Sequence, residues 1–283
     1  MKIWKKWIGV LFLFSSLFSG EGRSKYFIAI KEKEGKDFTS LETYTPFLPP
    51  KGKFYADPFL LNYKGMNYLF FEDYDYKKGV ISYVILDRNQ VVTKPEVALE
   101  LSTHLSFPFI FQEGEEVYMT PETYRYRAVY LYKATQFPYG WKRERVLVQG
   151  EYFSDPILFK YDGYYWLFVA IHMDQLAIYY ATDLKSQFFP HPMNHQRIKG
   201  RNAGNIFFKE GRMIRPTMDC SIRYGRSMIL KEIVLLTKSE FIEKEINLIE
   251  PNWAPGLVGT HTYSQNEDYL VYDGERFILP YED

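Results

Sequence analysis

One arrangement of apolar and polar positions recurs along the chain: a strand-length apolar run, a turn glycine, then a second run rich in aromatics. It first reads Asp57-Pro58-Phe59-Leu60-Leu61-Asn62-Tyr63-Lys64-Gly65, followed by Tyr68-Leu69-Phe70-Phe71-Glu72-Asp73. It returns at Phe107-Pro108-Phe109-Ile110-Phe111-Gln112-Glu113-Gly114 with Val117-Tyr118-Met119. It returns again at Asp155-Pro156-Ile157-Leu158-Phe159-Lys160-Tyr161-Asp162-Gly163 with Tyr165-Trp166-Leu167-Phe168. The fourth copy is Gly204-Asn205-Ile206-Phe207-Phe208-Lys209-Glu210-Gly211 with Met213-Ile214. A looser fifth runs from His261 through Asn266 to Tyr269-Leu270-Val271-Tyr272. The turn positions 65, 114, 163, 211 and 266 lie 49, 49, 48 and 55 residues apart. A strand-built repeat of about fifty residues predicts a propeller with one blade per copy. The expected fold class is all-β, a single five-bladed β-propeller.

Each hairpin is followed by further strand signals, at 80–86, 128–132, 177–180 and 229–236, with outer strands at 97–99 and 145–148. Residues 25–31 read as a strand ahead of the first copy and are the candidate for closing the ring by pairing into the last blade. Helical periodicity is nearly absent; residues 238–246 are the one short candidate. No linker or low-complexity tract interrupts the pattern, so residues 23–283 are expected to form one domain.

The first 22 residues differ in kind. Lys2, Lys5 and Lys6 precede an apolar stretch over 8–18, and Ser19, Gly20 and Gly22 follow as small residues. This predicts a signal peptide over residues 1–22 and a secreted or periplasmic protein with no transmembrane domain once the signal is cleaved. An uncleaved N-terminal membrane anchor is the alternative. The rest of the composition narrows the partner. Thirty-five basic residues balance thirty-five acidic ones, and no basic block appears. That argues against a nucleic-acid partner. A single cysteine, Cys220, excludes an intramolecular disulfide and a cysteine-based zinc site. Aromatics make up 19% of the chain. Most must fill the spaces between blades, but tyrosine and tryptophan also suit sugar-facing surfaces.

Aligning the copies on their turns places the starts of the first strands and the ends of the second strands at one end of the propeller. Asp57 lies eight residues before Gly65 and Asp73 eight after; Asp155 lies eight before Gly163; Glu122 and Asp219 lie eight after Gly114 and Gly211. Asp57, Glu122, Asp155, Asp219 and His261 should therefore approach one mouth from five blades. The bland readings stand beside this. Asp-Pro suits a strand start, and Glu122 could pair with Arg125 or Arg127. Arg215 could clamp a hydroxyl-rich or anionic ligand, or pair with Asp219. His104, Tyr224 and Trp166 complete the candidate ligand-binding set. The sequence by itself specifies no metal site and no cofactor.

Several runs together resemble a known family. They are Ala56-Asp57-Pro58-Phe59, residues 104–108, Pro121-Glu122-Thr123, Phe137-Pro138-Tyr139-Gly140-Trp141, Asp155-Pro156, His191-Pro192-Met193-Asn194, Arg215-Pro216 with Asp219-Cys220-Ser221, Tyr224-Gly225 and Gly259-Thr260-His261-Thr262. Over roughly residues 45–275 they resemble the N-terminal propeller domain of plant glucosamine inositolphosphorylceramide transferases and its bacterial relatives. That domain is similar in turn to the five-bladed propellers of glycoside hydrolase families 43 and 32. The resemblance assigns transferase chemistry in the plant proteins to a separate C-terminal domain, so glycosyl transfer is not expected of these residues. From the family 43 hydrolases it implies a general base at Asp57 and a substrate-orienting, pKa-tuning carboxylate at Asp155. The acid expected at the start of the fourth blade is missing, since that place reads Ala203-Gly204-Asn205; Glu122 or Asp219 could supply it. The resemblance also extends to a Ca²⁺ beside His261. Three readings follow for a carbohydrate partner: a hydrolase, a glycan-binding propeller without turnover, and a scaffold with a vestigial pocket.

Overall fold

The computed structural model describes residues 23–33, 43–88 and 90–279. The leader expected over residues 1–22 lies outside the described residues, as do residues 280–283 of the expected domain. Five antiparallel sheets follow one another along the chain as the blades of a propeller. Blade I holds Phe54–Tyr63, Met66–Tyr74 and Gly79–Asp87, with short outer strands. Blade II holds Ser106–Glu113, Glu116–Glu122, Ala128–Gln136 and Tyr139–Gln149. Blade III is built on Ser154–Tyr161, Tyr164–Ile171 and Gln175–Ala181. Blade IV has a split inner strand, Arg201–Asn202 and Phe207–Lys209, then Arg212–Asp219, Ser227–Leu236 and Phe241–Ile249. In blade V, Tyr263–Gln265 and Tyr269–Ile278 are joined by Arg23–Glu32, which pairs antiparallel with Tyr269–Ile278 over its whole length. The short helix expected at 238–246 is instead the outer strand of blade IV; its partner strand overrides the local periodicity.

Local chemistry explains the repeat. Three of the inner hairpins turn on two residues that both have positive φ: Lys64-Gly65, Asp162-Gly163 and Glu210-Gly211. That is the type I′ geometry, whose twist matches the strands and which favours glycine. The runs Tyr68-Leu69-Phe70-Phe71 and Tyr165-Trp166-Leu167-Phe168 are continuously apolar because both of their faces are buried. Phe70 faces the core shared with blade II, while Leu69 and Phe71 face blade V. Leu167 faces blade II and Trp166 and Phe168 face blade IV. In the same way Ile28 and Ile30 of the N-terminal strand pack toward blade I, and Phe27 and Ala29 toward blade IV. The hydrophobic core is thus a set of wedges between blades.

A one-residue bulge opens the inner strand of blades I, II and III. It falls at Asp57-Pro58, Phe107-Pro108 and Asp155-Pro156. In each case the residue before proline takes a left-handed backbone, with φ of 52°, 45° and 50°. The bulge changes the expected register. Asp73 pairs with Tyr55 rather than with Asp57, so Asp57 leaves the ladder and turns to the axis.

Blade IV departs from this pattern at Gly204, where φ is 137° and a Cβ would lie 1.6 Å from the Tyr263 carbonyl oxygen. Gly204→Ala is therefore expected to cost about 3 kcal/mol or more, a fall of roughly 6–12 °C in Tm. Gly65→Ala, in a turn with nothing within 4 Å, should cost only about 1 kcal/mol. Calorimetry on the two variants checks the contrast; equal losses would contradict the close approach at Gly204.

Candidate functional site

The bulges bring polar groups to the axis and also use them. The Asp57 N–H donates to Asp273 Oδ2 at 3.2 Å. The Phe107 N–H donates to Asp57 Oδ2 at 3.1 Å. The Asp155 N–H donates to Glu122 Oε2 at 3.0 Å. Each carboxylate comes from the blade before. Asn202 Nδ2 then donates to the Asp155 carbonyl at 2.7 Å, and the Tyr263 N–H to the Ala203 carbonyl at 2.7 Å. A ring of hydrogen bonds through all five blades surrounds the mouth.

Two charged groupings sit on this ring. The first centres on Arg201, whose Nε bonds to Asp155 Oδ2. Its Nη2 lies 3.2 Å from Asp155 Oδ1 and 3.3 Å from Glu122 Oε2. Burial and the neighbouring Asp155 carboxylate push Glu122 well above the usual carboxylate range, against the pull of Arg201. The second grouping is His261 with Asp273 and Asp57. His261 Nδ1 lies 2.6 Å from Asp273 Oδ2, and its Nε2 lies 3.7 Å from Asp57 Oδ1. Burial opposes the imidazolium, but Asp273 and Asp57 outweigh it and raise His261 to about 9. Thr262 Oγ1 donates to Asp57 Oδ1 at 2.7 Å. Burial, opposed by His261 and assisted by Glu72, Asp155 and Asp273, raises Asp57 to about 7.

The donor set of Asp57, His261 and Asp273 lies within 4.8 Å, but it does not fit a Ca²⁺. That ion takes six to eight oxygen ligands. Here one imidazole and two carboxylates converge, and Asp273 already accepts the N–H groups of Asp57, His261 and Thr262.

Around these pairs stand open aromatic faces. The Tyr224 ring is 5.7 Å from the His261 ring and 5.2 Å from the Arg201 guanidinium. Tyr124 stacks on Tyr152 at 4.9 Å. Their relative exposures of 43%, 36% and 46% leave all three available to a ligand. His104 lies at the edge, 3.1 Å from Glu72, with its Nδ1 accepting the Gly79 N–H.

The structure brings Asp57, Glu122, Asp155 and His261 onto one ring, with Tyr224 beside them and His104 nearby. Three candidates behave differently. Asp219 accepts from the Ser221 N–H and the Ser227 hydroxyl, closing a turn within its own blade. Arg215 is no ligand clamp and does not pair with Asp219: it is 0% exposed and bonds Glu243 through two nitrogens at 2.9 and 2.8 Å. It also bonds the Gly200 carbonyl and Asn202 Oδ1, and so positions the short strand that carries Arg201. Trp166 is 1% exposed, within the wedge between blades III and IV, and donates to the Tyr161 carbonyl. Sequence reasoning missed Arg201, Asp273 and Glu72. A charge count would have found the first, since buried carboxylates converging on one mouth demand a cation. The turn alignment would have found the others, each seven residues past its turn position.

Fold and site together define a five-bladed propeller with a polar, aromatic-rimmed axial mouth. The chain matches the family described as "Glucosamine inositolphosphorylceramide transferase 1, N-terminal" over residues 48–255, and it belongs to that family. Glucosamine inositolphosphorylceramide transferase 1 of Oryza sativa subsp. japonica is 35% identical over 210 residues, covering 69% of this chain and 28% of the rice protein. The Arabidopsis thaliana protein of the same name is 31% identical over 208 residues, covering 68% and 27%. The chain thus spans less than a third of the length of these relatives. Among solved structures, the catalytic domain of a Coprinopsis cinerea GH62 α-L-arabinofuranosidase superposes with a TM-score of 0.61 at 10% identity, covering 90% of this chain and 97% of that one. An exo-β-1,3-galactanase from Clostridium thermocellum gives 0.56 at 12%, covering 86% and 64%. A GH43 protein from Bacillus licheniformis gives 0.55 at 16%, covering 74% and 48%. At such identities the likeness is one of fold.

Removing Arg201 would leave Asp155 and Glu122 buried without their cation. Arg201→Met is expected to lower stability at pH 7.5 by about 3–5 kcal/mol. Burial pushes Glu122 upward in the fold, and more so without the pull of Arg201, so the deficit should shrink as pH falls toward 5 and Glu122 can take up a proton. Urea unfolding at the two pH values measures this; a deficit that grows on acidification would refute the assignment.

Proposed function

We propose that the mouth binds a neutral carbohydrate and holds it without cleaving a glycosidic bond. The observation that carries this reading is blade IV. Where the hydrolase pattern calls for an acid, the chain has Ala203, fully buried, and Gly204, whose side-chain space is filled by the Tyr263 backbone. Arg201 enters the mouth from the same strand and ties Asp155 and Glu122 into an ion pair. Asp57 has both oxygens engaged, by the Phe107 N–H and the Thr262 hydroxyl. The cations Arg201 and His261 each face carboxylates of their own, which disfavours an anionic ligand and suits a polyhydroxylated one. Tyr124 and Tyr224 offer the apolar faces on which sugar rings stack. The names of the relatives, with glucosamine and inositolphosphorylceramide, and of the arabinofuranosidase and galactanase neighbours support a sugar ligand.

Hydrolysis is the second reading, favoured by one observation. Asp57, raised to about 7, and Glu122, pushed well above the usual carboxylate range by burial, offer a base and an acid on adjacent blades. A screen of the protein against a broad panel of neutral glycans and aryl glycosides separates the two. We expect binding without release of reducing ends, weakened about fivefold or more in Tyr224→Ala. Turnover that vanishes in both Asp57→Asn and Glu122→Gln would replace binding with hydrolysis.

We further propose export of the chain, on the strength of the basic and apolar stretches at its start. Among the described residues no helix is long and apolar enough to cross a membrane. Expression with a C-terminal tag should give an extracytoplasmic protein whose N-terminal sequence begins near residue 23. An intact Met1 on protein recovered from the cytoplasm would refute export.

A further inference from the structure

A second feature lies beside the mouth. An open groove of about 520 Å³ runs between the outer halves of blades I and II. Its walls include Glu100, Leu101, Tyr126, Tyr130, Trp141 and Arg143. Register explains how these residues meet. Arg143 is opposite Tyr132 and Trp141 opposite Ala134 on neighbouring strands of blade II, so Trp141 and Arg143, two apart, share one face. On that face the Trp141 ring meets Phe70 of blade I at 6.3 Å.

A short 3₁₀ turn, Tyr124–Tyr126, connects this groove to the mouth. It follows the strand that ends in Glu122, the partner of Arg201. With three residues per turn, side chains two apart leave such a helix in different directions. Tyr124 stacks on Tyr152 at 4.9 Å, on the mouth side. Tyr126 packs edge-on to Tyr130 at 5.9 Å, on the groove side, and its hydroxyl bonds Ser102 Oγ at 3.0 Å. The turn is held in place. Arg127, in a left-handed conformation, closes it, bonds the Gly150 carbonyl and lies 4.9 Å from the Tyr152 ring. Tyr126 remains 40% exposed.

The chemistry of the walls selects the occupant. Glu100 and Arg143 bring opposite charges to the groove; Glu100 is paired with Lys78, and the Arg143 guanidinium lies 5.2 Å from the Tyr130 ring. A nucleic acid or an acidic peptide would meet the Glu100 carboxylate. An acyl chain would cover the Arg143 guanidinium with apolar surface and offer it no acceptor. A neutral oligosaccharide satisfies each wall: its C–H faces stack on tyrosine and tryptophan, and its vicinal hydroxyls bond the carboxylate and the guanidinium.

We propose that the mouth and this groove form one continuous binding track for an extended neutral oligosaccharide, with Tyr126 as the stacking platform where the chain leaves the mouth. The proposal rests on the glycan-binding reading of the mouth and adds the length of the ligand to it. Isothermal titration tests it, using arabinose-, xylose- and galactose-based oligosaccharides of one to six units drawn from the hits of the glycan panel. Affinity is expected to rise about tenfold or more between two and six units. Tyr126→Ala and Arg143→Ala should each lower affinity for the six-unit chain about fivefold and leave mono- and disaccharide binding unchanged. Affinity that does not grow beyond two units, or a length gain that survives in both variants, overturns the track while leaving the mouth a sugar site. Absence of binding to any glycan overturns both.

Discussion

The mouth depends on one interaction made three times: a backbone N–H in left-handed conformation, donated to a carboxylate of the preceding blade. Asp57, Phe107 and Asp155 each adopt a backbone that L-residues avoid, a strain of about 1–3 kcal/mol apiece. A hydrogen bond to an ionised group returns about 1.5–3 kcal/mol, so each joint is close to balanced by its own carboxylate. Asn202 and Tyr263 carry the ring across the remaining two seams. The same acidic groups that look like catalytic machinery are therefore fasteners between blades. Asp57 does both jobs at once, as donor toward blade V and as acceptor from blade II.

This dual use bears on what the site can do chemically. A general base needs an oxygen free to take a proton from water, and a general acid needs a carboxyl that can reach the leaving oxygen. Here the carboxylates are engaged by backbone N–H groups, by a hydroxyl, or by the Arg201 guanidinium. Such a network is rigid and presents fixed donors and acceptors at low conformational cost, which favours recognition. The blade that breaks the hydrolase pattern is also the one that supplies Arg201. That guanidinium ties Asp155 and Glu122 into one salt-bridged group.

Much of the fold was legible in the sequence because it is written in local chemistry. Turn glycines with positive φ and doubly buried aromatic runs recur at a fixed spacing, and those two signals sufficed to count blades. The candidate site was half legible for a related reason. Asp57, Asp155 and Glu122 occupy positions fixed by distance from a turn, and His261 opens the fifth copy, so alignment of the copies found them. Arg215 and Trp166 were misjudged because residue type says nothing about which side of a strand faces the axis. Each proved to lie within blade IV or against it. The 238–246 segment looked helical because Ile242 and Ile246 stand four apart among charged residues, and only its long-range partner makes it a strand. Arg201 escaped notice because its role follows from the summed charge of residues on other blades.

The N-terminal strand has a consequence of another kind. Arg23–Glu32 finds its partner in Tyr269–Ile278, almost the whole length of the chain away. Long-range pairing of this sort is slow to form. While the five repeats assemble in order, this first-made strand must wait with Phe27, Ile28 and Ile30 uncovered, a ready template for pairing with another chain. The edge of Tyr269–Ile278 is thus closed by a strand from the far end of the sequence, so the last blade is complete only when both ends of the domain have met.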